Sequence, residues 1–136
     1  MNFDFSDDQK SLKDEARKFL TDKAGAKVTR RVLDDAAVSY DETLWRAVAE
    51  MGWLGAAIPE EHGGLGLGRL ELCVLAEELG RAVAPIPFSS TVYFFAEALM
   101  LAGSDAQKAA HLPKVAGGAT IGCFALSEGP GAPTAA

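Results

Sequence analysis

The sequence predicts an all-α fold: an orthogonal helical bundle of about six helices, followed by one C-terminal β-strand. Apolar residues recur every three or four positions along most of the 136-residue chain, Ser-x-x-Gln signatures open two of the periodic stretches, and only one short apolar run near the carboxyl end reads as a strand. Hydrophobic residues make up 49% of the chain, enough for a core, and the length suits one domain of roughly 100–150 residues. The 13 basic and 19 acidic side chains give a net charge of −6. With no cluster of Lys and Arg, this balance argues against nucleic-acid or anionic-membrane binding, whose affinity comes largely from neutralising phosphates.

Ser6 and Gln9 form a capping box, and Asp7 and Asp8 favour the positive end of the helix dipole. Leu12, Ala16, Phe19 and Leu20 then share one face of a first helix reaching about Lys23. A second segment over 27–35 sets Val28, Val32 and Leu33 on one side, with Thr29, Arg30 and Arg31 toward water. Asp41 caps a third helix carrying Leu44, Trp45, Val48 and Met51, and Gly52 supplies its left-handed stop. Trp53 to Pro59 is an apolar connector, expected to be buried, that leads into the glycine-rich loop 60–68.

The fourth helix runs from Arg69 to about Gly80, with Leu72, Leu75, Ala76 and Leu79 as its stripe and Cys73 and Val74 alongside. Pro85 and Pro87 forbid helix. Ser89 or Ser90 reopens it through Tyr93, Phe94, Leu99 and Leu101, and the near absence of polar residues predicts a central, buried helix. Gly103 ends it, and Ser104 with Gln107 caps a sixth helix expected to stop near His111, because Pro113 disfavours helix at the residue before it. Thr120 to Leu126 reads as the strand. The division is therefore a helical domain over 1–118 and the start of a β domain over 119–136. A lone strand cannot satisfy its own backbone groups, so it is expected to pair with another chain or with the rest of a parent protein.

The amino terminus lacks the basic and apolar zones of a secretory signal. The most membrane-like stretch, 82–103, is broken by Pro85, Pro87, Ser89 and Ser90, which leaves about 12 residues against a bilayer of roughly 30 Å. Cys73 and Cys123 lie far apart without C-x-x-C spacing, so a reduced, cytoplasmic compartment is expected.

Gly64, Gly66 and Gly68 alternate singly, with no third glycine at G-x-G-x-x-G spacing, no preceding strand and no Walker lysine. The loop is expected to be a structural turn with Leu65 and Leu67 tucked inward. His62 and His111 fall short of a metal-ligand set. Glu97, the sole charge in its apolar segment, is expected on the exposed edge of its helix rather than as a tuned base. At Phe124-Ala125-Leu126-Ser127-Glu128 a strand end offers backbone N–H and C=O groups and a hydroxyl, the complement of a flavin's pyrimidine edge.

The segments in order resemble the start of the acyl-CoA dehydrogenase family. The resemblance rests on Phe5-Ser6-Asp7-Asp8-Gln9, Trp45 to Gly55, Ile58-Pro59-Glu60-Glu61-His62-Gly63-Gly64-Leu65-Gly66, Ala76-Glu77-Glu78-Leu79-Gly80-Arg81, Ala102 to Lys108, Leu112-Pro113-Lys114 and Ala125-Leu126-Ser127-Glu128. It implies a flavoenzyme that holds FAD noncovalently and desaturates an acyl-CoA thioester. A carboxylate takes the α proton and the β hydrogen leaves as hydride to flavin N5. It further implies an electron-transfer flavoprotein as acceptor, a homo-oligomer (tetramer or dimer), and a helical domain followed by a β domain and a four-helix bundle. This chain matches the first domain and the opening strand of the second.

By the same resemblance Phe124, Leu126 and Ser127 match the flavin-contacting strand, Leu126 through its backbone and Ser127 through its hydroxyl. Pro87, Ser90 and Phe94 match the place where the acyl tail lies. Where the family continues Glu-Pro-Gly-Ala-Gly-Ser-Asp, this chain has Glu128-Gly129-Pro130-Gly131-Ala132-Pro133-Thr134. A one-residue shift puts Thr134 in the place of the substrate-approaching serine. The catalytic carboxylate belongs to the family's last domain and no residue here matches it, Glu97 included. Alone, the chain is expected to be inactive and to retain no stoichiometric FAD. The alternatives are a noncatalytic helical module from a truncated or split gene, docking on another dehydrogenase subunit, and a helical acyl-chain carrier.

Overall fold

The computed structural model describes residues 4–127. Six helices account for its regular structure: α1 (Asp7–Lys23), α2 (Ala26–Asp34), α3 (Glu42–Glu50), α4 (Arg69–Arg81), α5, which is π-helical over Ser89–Ala96 and α-helical over Glu97–Ala102, and α6 (Asp105–Ala116). Both expected capping boxes form. The Ser6 hydroxyl accepts from the Gln9 N–H at 3.2 Å while Gln9 Oε1 accepts from the Ser6 N–H at 3.0 Å, and Ser104 and Gln107 repeat the arrangement. Asp41 accepts from the Leu44 N–H at 2.8 Å, and Gly52 stops α3 at a φ of 75°.

α1 lies along α4 and runs in the same direction, since Gln9, Lys13 and Arg17 meet Glu71, Glu77 and Glu78 in ascending order. The last of these contacts has a buried acceptor. Glu78 is 0% exposed and accepts from Arg17 at 2.7 and 3.1 Å and from Arg81 at 2.7 Å. Hydrogen bonding from Arg17, reinforced by Arg81, outweighs burial and holds its carboxyl down to about 2.

The main core joins α1, α3, α4 and the start of α5 around Leu20, Trp45, Val48, Trp53, Leu54, Leu75 and Phe88. A second core gathers Ile58, Ala96, Leu112, Val115 and Ala116 between α5 and α6. The connector is buried as expected, with a short 3₁₀ turn over Trp53–Gly55. The glycine loop folds back on it: the N–H groups of Leu65, Gly66 and Leu67 donate to the carbonyls of Gly55, Ile58 and Ala56 at 2.7–2.9 Å. This is the expected structural turn. Leu65 and Leu67, however, remain partly exposed, because the loop is held through its backbone rather than by insertion of their side chains.

Four other expectations are corrected. α6 continues through Pro113 to Ala116, because Leu112 and Val115 are fully buried beyond the predicted stop. Burying each is worth about 1.5–3 kcal/mol, enough to offset the roughly 3 kcal/mol cost of an internal proline. α5 is not buried all round: Thr91, Val92 and Ala96 are inside, while Phe94 and Leu101 face outward. α2 fully buries no residue, and Leu33 is exposed. Finally, no strand occurs among the described residues, so 120–126 is not the expected strand. A strand exists by pairing, and no described segment pairs with this one.

Candidate functional site

The candidate site is the corner between the start of α5 and the segment 120–127. α5 is firmly seated. Phe88 is buried and meets Tyr93 edge to face, with ring centroids 5.4 Å apart, and the Pro87 carbonyl accepts from the Ser90 hydroxyl at 3.2 Å and the Thr91 N–H at 3.3 Å. Ser90 and Phe94, four residues apart, fall on the same side of the helix. Phe94 is 57% exposed and Pro87 and Ser90 are half-buried, so the three residues matched to the acyl tail border an open surface.

Two neighbours of that surface were not read from the sequence. Thr91 is fully buried, and its hydroxyl both donates to the Gly122 carbonyl at 3.3 Å and accepts from the Gly122 N–H at 3.2 Å. Gly122 in turn admits the Phe95 ring, which would lie 2.2 Å from any Cβ placed there. A glycine inside a strand-like run is the signal that could have found this contact, since it marks close approach to a backbone. These contacts bring 120–127 against the helix that carries Ser90 and Phe94.

Beyond Gly122 the segment is open. Phe124 is 55% and Leu126 64% exposed, and Cys123 through Leu126 make no hydrogen bonds among the described residues. Backbone donors and acceptors flanked by two apolar side chains suit the edge and face of a planar heterocycle, so the residues present fit a flavin. Ser127 is exposed, and Thr134 lies outside the described residues.

The side of α5 facing α4 has a different character. Arg69, Leu72, Cys73, Ala76, Tyr93 and Glu97 border a groove of about 380 Å³ that neither Ser90 nor Phe94 enters. The Tyr93 hydroxyl donates to the Leu72 carbonyl at 3.4 Å, and burial pushes its pKa up to about 12, with a smaller contribution from Cys73. Glu97 pairs with Arg69 on the rim, as an edge carboxylate rather than a base in a dry pocket. His62 approaches Glu61 at 3.7 Å. His111, inside α6, meets the Phe95 ring edge-on at 6.2 Å. Among the described residues, no three His, Cys, Asp or Glu side chains converge as a metal site, and no helix is long and apolar enough to cross a membrane.

Residues 6–119 match the family model for the acyl-CoA dehydrogenase N-terminal domain. Isovaleryl-CoA dehydrogenase of Arabidopsis thaliana mitochondria is 34% identical over 126 residues, covering 91% of this chain and 31% of that protein. A variant of the Tcur3481–Tcur3483 steroid ACAD superposes with a TM-score of 0.79 at 41% identity, over 89% of this chain and 33% of the other. An acyl-CoA dehydrogenase of Bacillus anthracis complexed with FAD gives 0.80 at 29% identity, over 95% and 22%. The chain thus spans about a third of the length of the curated relatives it matches.

Proposed function

Because the chain belongs to the acyl-CoA dehydrogenase family, which it matches over that family's N-terminal domain, we propose that it is the helical wall of an FAD-dependent acyl-CoA dehydrogenase. The reaction is α,β-desaturation of an acyl-CoA thioester, with two electrons and two protons' worth of hydrogen leaving as one proton and one hydride. The observation that carries the reading is the open corner in this family-matched domain, where the exposed Phe94 face of α5 adjoins a segment with exposed Phe124 and Leu126.

In this reading Pro87, Ser90 and Phe94 line the acyl tail, and the apolar wall of α5 keeps water from the reacting carbons, which strengthens the electrostatics of proton removal. The Leu126 backbone and the Ser127 hydroxyl hold the flavin's pyrimidine edge, Phe124 packs beside it, and Thr134 approaches the substrate. FAD, when bound, supplies the hydride acceptor. In this reading the carboxylate that takes the α proton lies in the family's last domain and most of the flavin site in its β domain, neither of which these 136 residues match beyond the opening segment, so by themselves they are expected to be inactive and to retain no stoichiometric FAD. We further assign electron-transfer flavoprotein as the acceptor, a homo-oligomeric assembly, and a reduced cytoplasmic setting consistent with two free, exposed cysteines.

The test is anaerobic addition of acyl-CoA thioesters to the flavin-bearing protein that carries this domain. Bleaching of the oxidised flavin band with stoichiometric formation of the enoyl-CoA is expected. No bleaching with straight-chain, branched or steroid acyl thioesters would overturn the proposal, and a yellow, flavin-loaded 136-residue chain would overturn the assignment of cofactor retention to the other domains.

A further inference from the structure

We propose that Thr91 is a positioning residue that sets the spacing between the acyl-lining helix and the flavin-contacting segment by fastening both to one peptide unit, Gly122. The inference rests on the functional reading above and deepens it.

The hydroxyl is used in an unusual way. A threonine inside a helix commonly turns its hydroxyl to the carbonyl four residues back, which here is that of Pro87. That carbonyl is instead taken by the Ser90 hydroxyl and the Thr91 N–H, and the Thr91 hydroxyl spends its donor and its acceptor on the carbonyl and N–H of a single residue in another segment. One side chain thereby does what a neighbouring strand would do in a ladder. The bonds are shielded, since Thr91 is fully buried and the Phe95 ring covers the face of Gly122 where a Cβ would stand.

The position of this tether gives it leverage. Upstream, the Thr120 N–H is held by the Lys114 carbonyl at 3.2 Å, and downstream Cys123 to Leu126 make no hydrogen bonds among the described residues. Among the described residues, Gly122 is therefore the last hydrogen-bonded anchor before Phe124 and Leu126. On the helix side, Thr91 follows Ser90 directly and precedes Phe94 by three residues. A change at Thr91 moves the flavin-facing segment relative to the acyl wall without touching either ligand.

The test uses Thr91→Val, which keeps the shape and removes both hydrogen bonds, and Thr91→Ser, which keeps the hydroxyl. In the 136-residue chain, amide exchange at Gly122 is expected to speed about tenfold in Thr91→Val and to return toward wild type in Thr91→Ser. In the flavin-bearing protein that carries the domain, Thr91→Val is expected to weaken FAD binding about tenfold, to shift the flavin absorbance, and to lower kcat more than it raises KM, with Thr91→Ser restoring each. Unchanged exchange at Gly122 in a folded Thr91→Val chain overturns the tether. Faster exchange with unaltered flavin binding, spectrum and kcat overturns the positioning role, even though acyl-CoA still bleaches the wild-type flavin. A wild-type protein that never bleaches overturns the enzymatic reading, and with it this role, whatever the exchange result. Should Thr91→Val not fold, Gly122→Ala reads the same joint from the other side, because its Cβ must displace the segment from Phe95. Wild-type flavin affinity and kcat in that variant would equally overturn the proposal.

Discussion

Gly64 and Gly80 show how differently two glycines constrain one chain. A Cβ on Gly64 would sit 2.0 Å from the Ile58 carbonyl oxygen, whereas Gly80, inside α4, has nothing within 4 Å. Gly64→Ala should therefore destabilise by about 3 kcal/mol or more, while Gly80→Ala should stabilise by about 0.5–1 kcal/mol through helix propensity. Urea denaturation followed by circular dichroism separates the two outcomes. Glu78 couples stability to pH. Its folded pKa lies near 2, below the ordinary 4.5, so its stabilising contribution is complete above about pH 4.5 and is lost as pH falls toward 2. Glu78→Gln should cost about 2–3 kcal/mol at pH 7, where Arg17 and Arg81 lose their carboxylate, and the deficit should shrink at pH 3. A deficit that grows at low pH would contradict the assignment. The sequence made Ser6, Asp41 and Gly52 legible because caps and stops act on their own neighbours. It hid Glu78, because the arginine that holds it most strongly is 61 positions away.

At the scale of elements, the helices were predictable where one face is apolar and the ends carry local signals. The misreadings came where tertiary packing overrode those signals: α6 runs through Pro113 because Leu112 and Val115 are needed in the second core. α5 looked wholly buried because its apolar residues go all round, yet periodicity cannot tell a face packed inside a domain from one left open. The end of α4 departs from preference in another way. Val83 takes a φ of 48°, a left-handed position usually held by glycine, while the Ala84 N–H closes back to the Leu79 carbonyl at 3.1 Å. A β-branched residue there carries strain, so Val83→Gly is expected to raise stability by about 0.5–1 kcal/mol in thermal or chemical denaturation. A decrease would mean that the largely exposed valine side chain contributes more than its backbone costs.

For the molecule as a whole, the helical architecture and the family were legible from ordered short motifs, several of which, the two capping boxes and the glycine loop among them, mark caps and turns that the fold requires. The candidate site was legible only in part. Pro87, just ahead of α5, and Ser90 and Phe94 within it lie close in sequence and could be found together. The joining of that helix to the segment through Thr91 and Gly122 spans 31 positions and left only a glycine as its trace. If the exposed face of α5 lines the acyl pocket, binding must register at Phe94, whose side chain is 57% exposed and belongs to neither core. The measurement is acyl-CoA affinity of the flavin-bearing protein that carries this domain, wild type against Phe94→Ala. Losing an apolar contact of about 1.5 kcal/mol predicts roughly tenfold weaker binding at unchanged FAD content and unchanged thermal stability. Wild-type affinity and turnover in the variant would mean that this face of α5 does not line the acyl pocket.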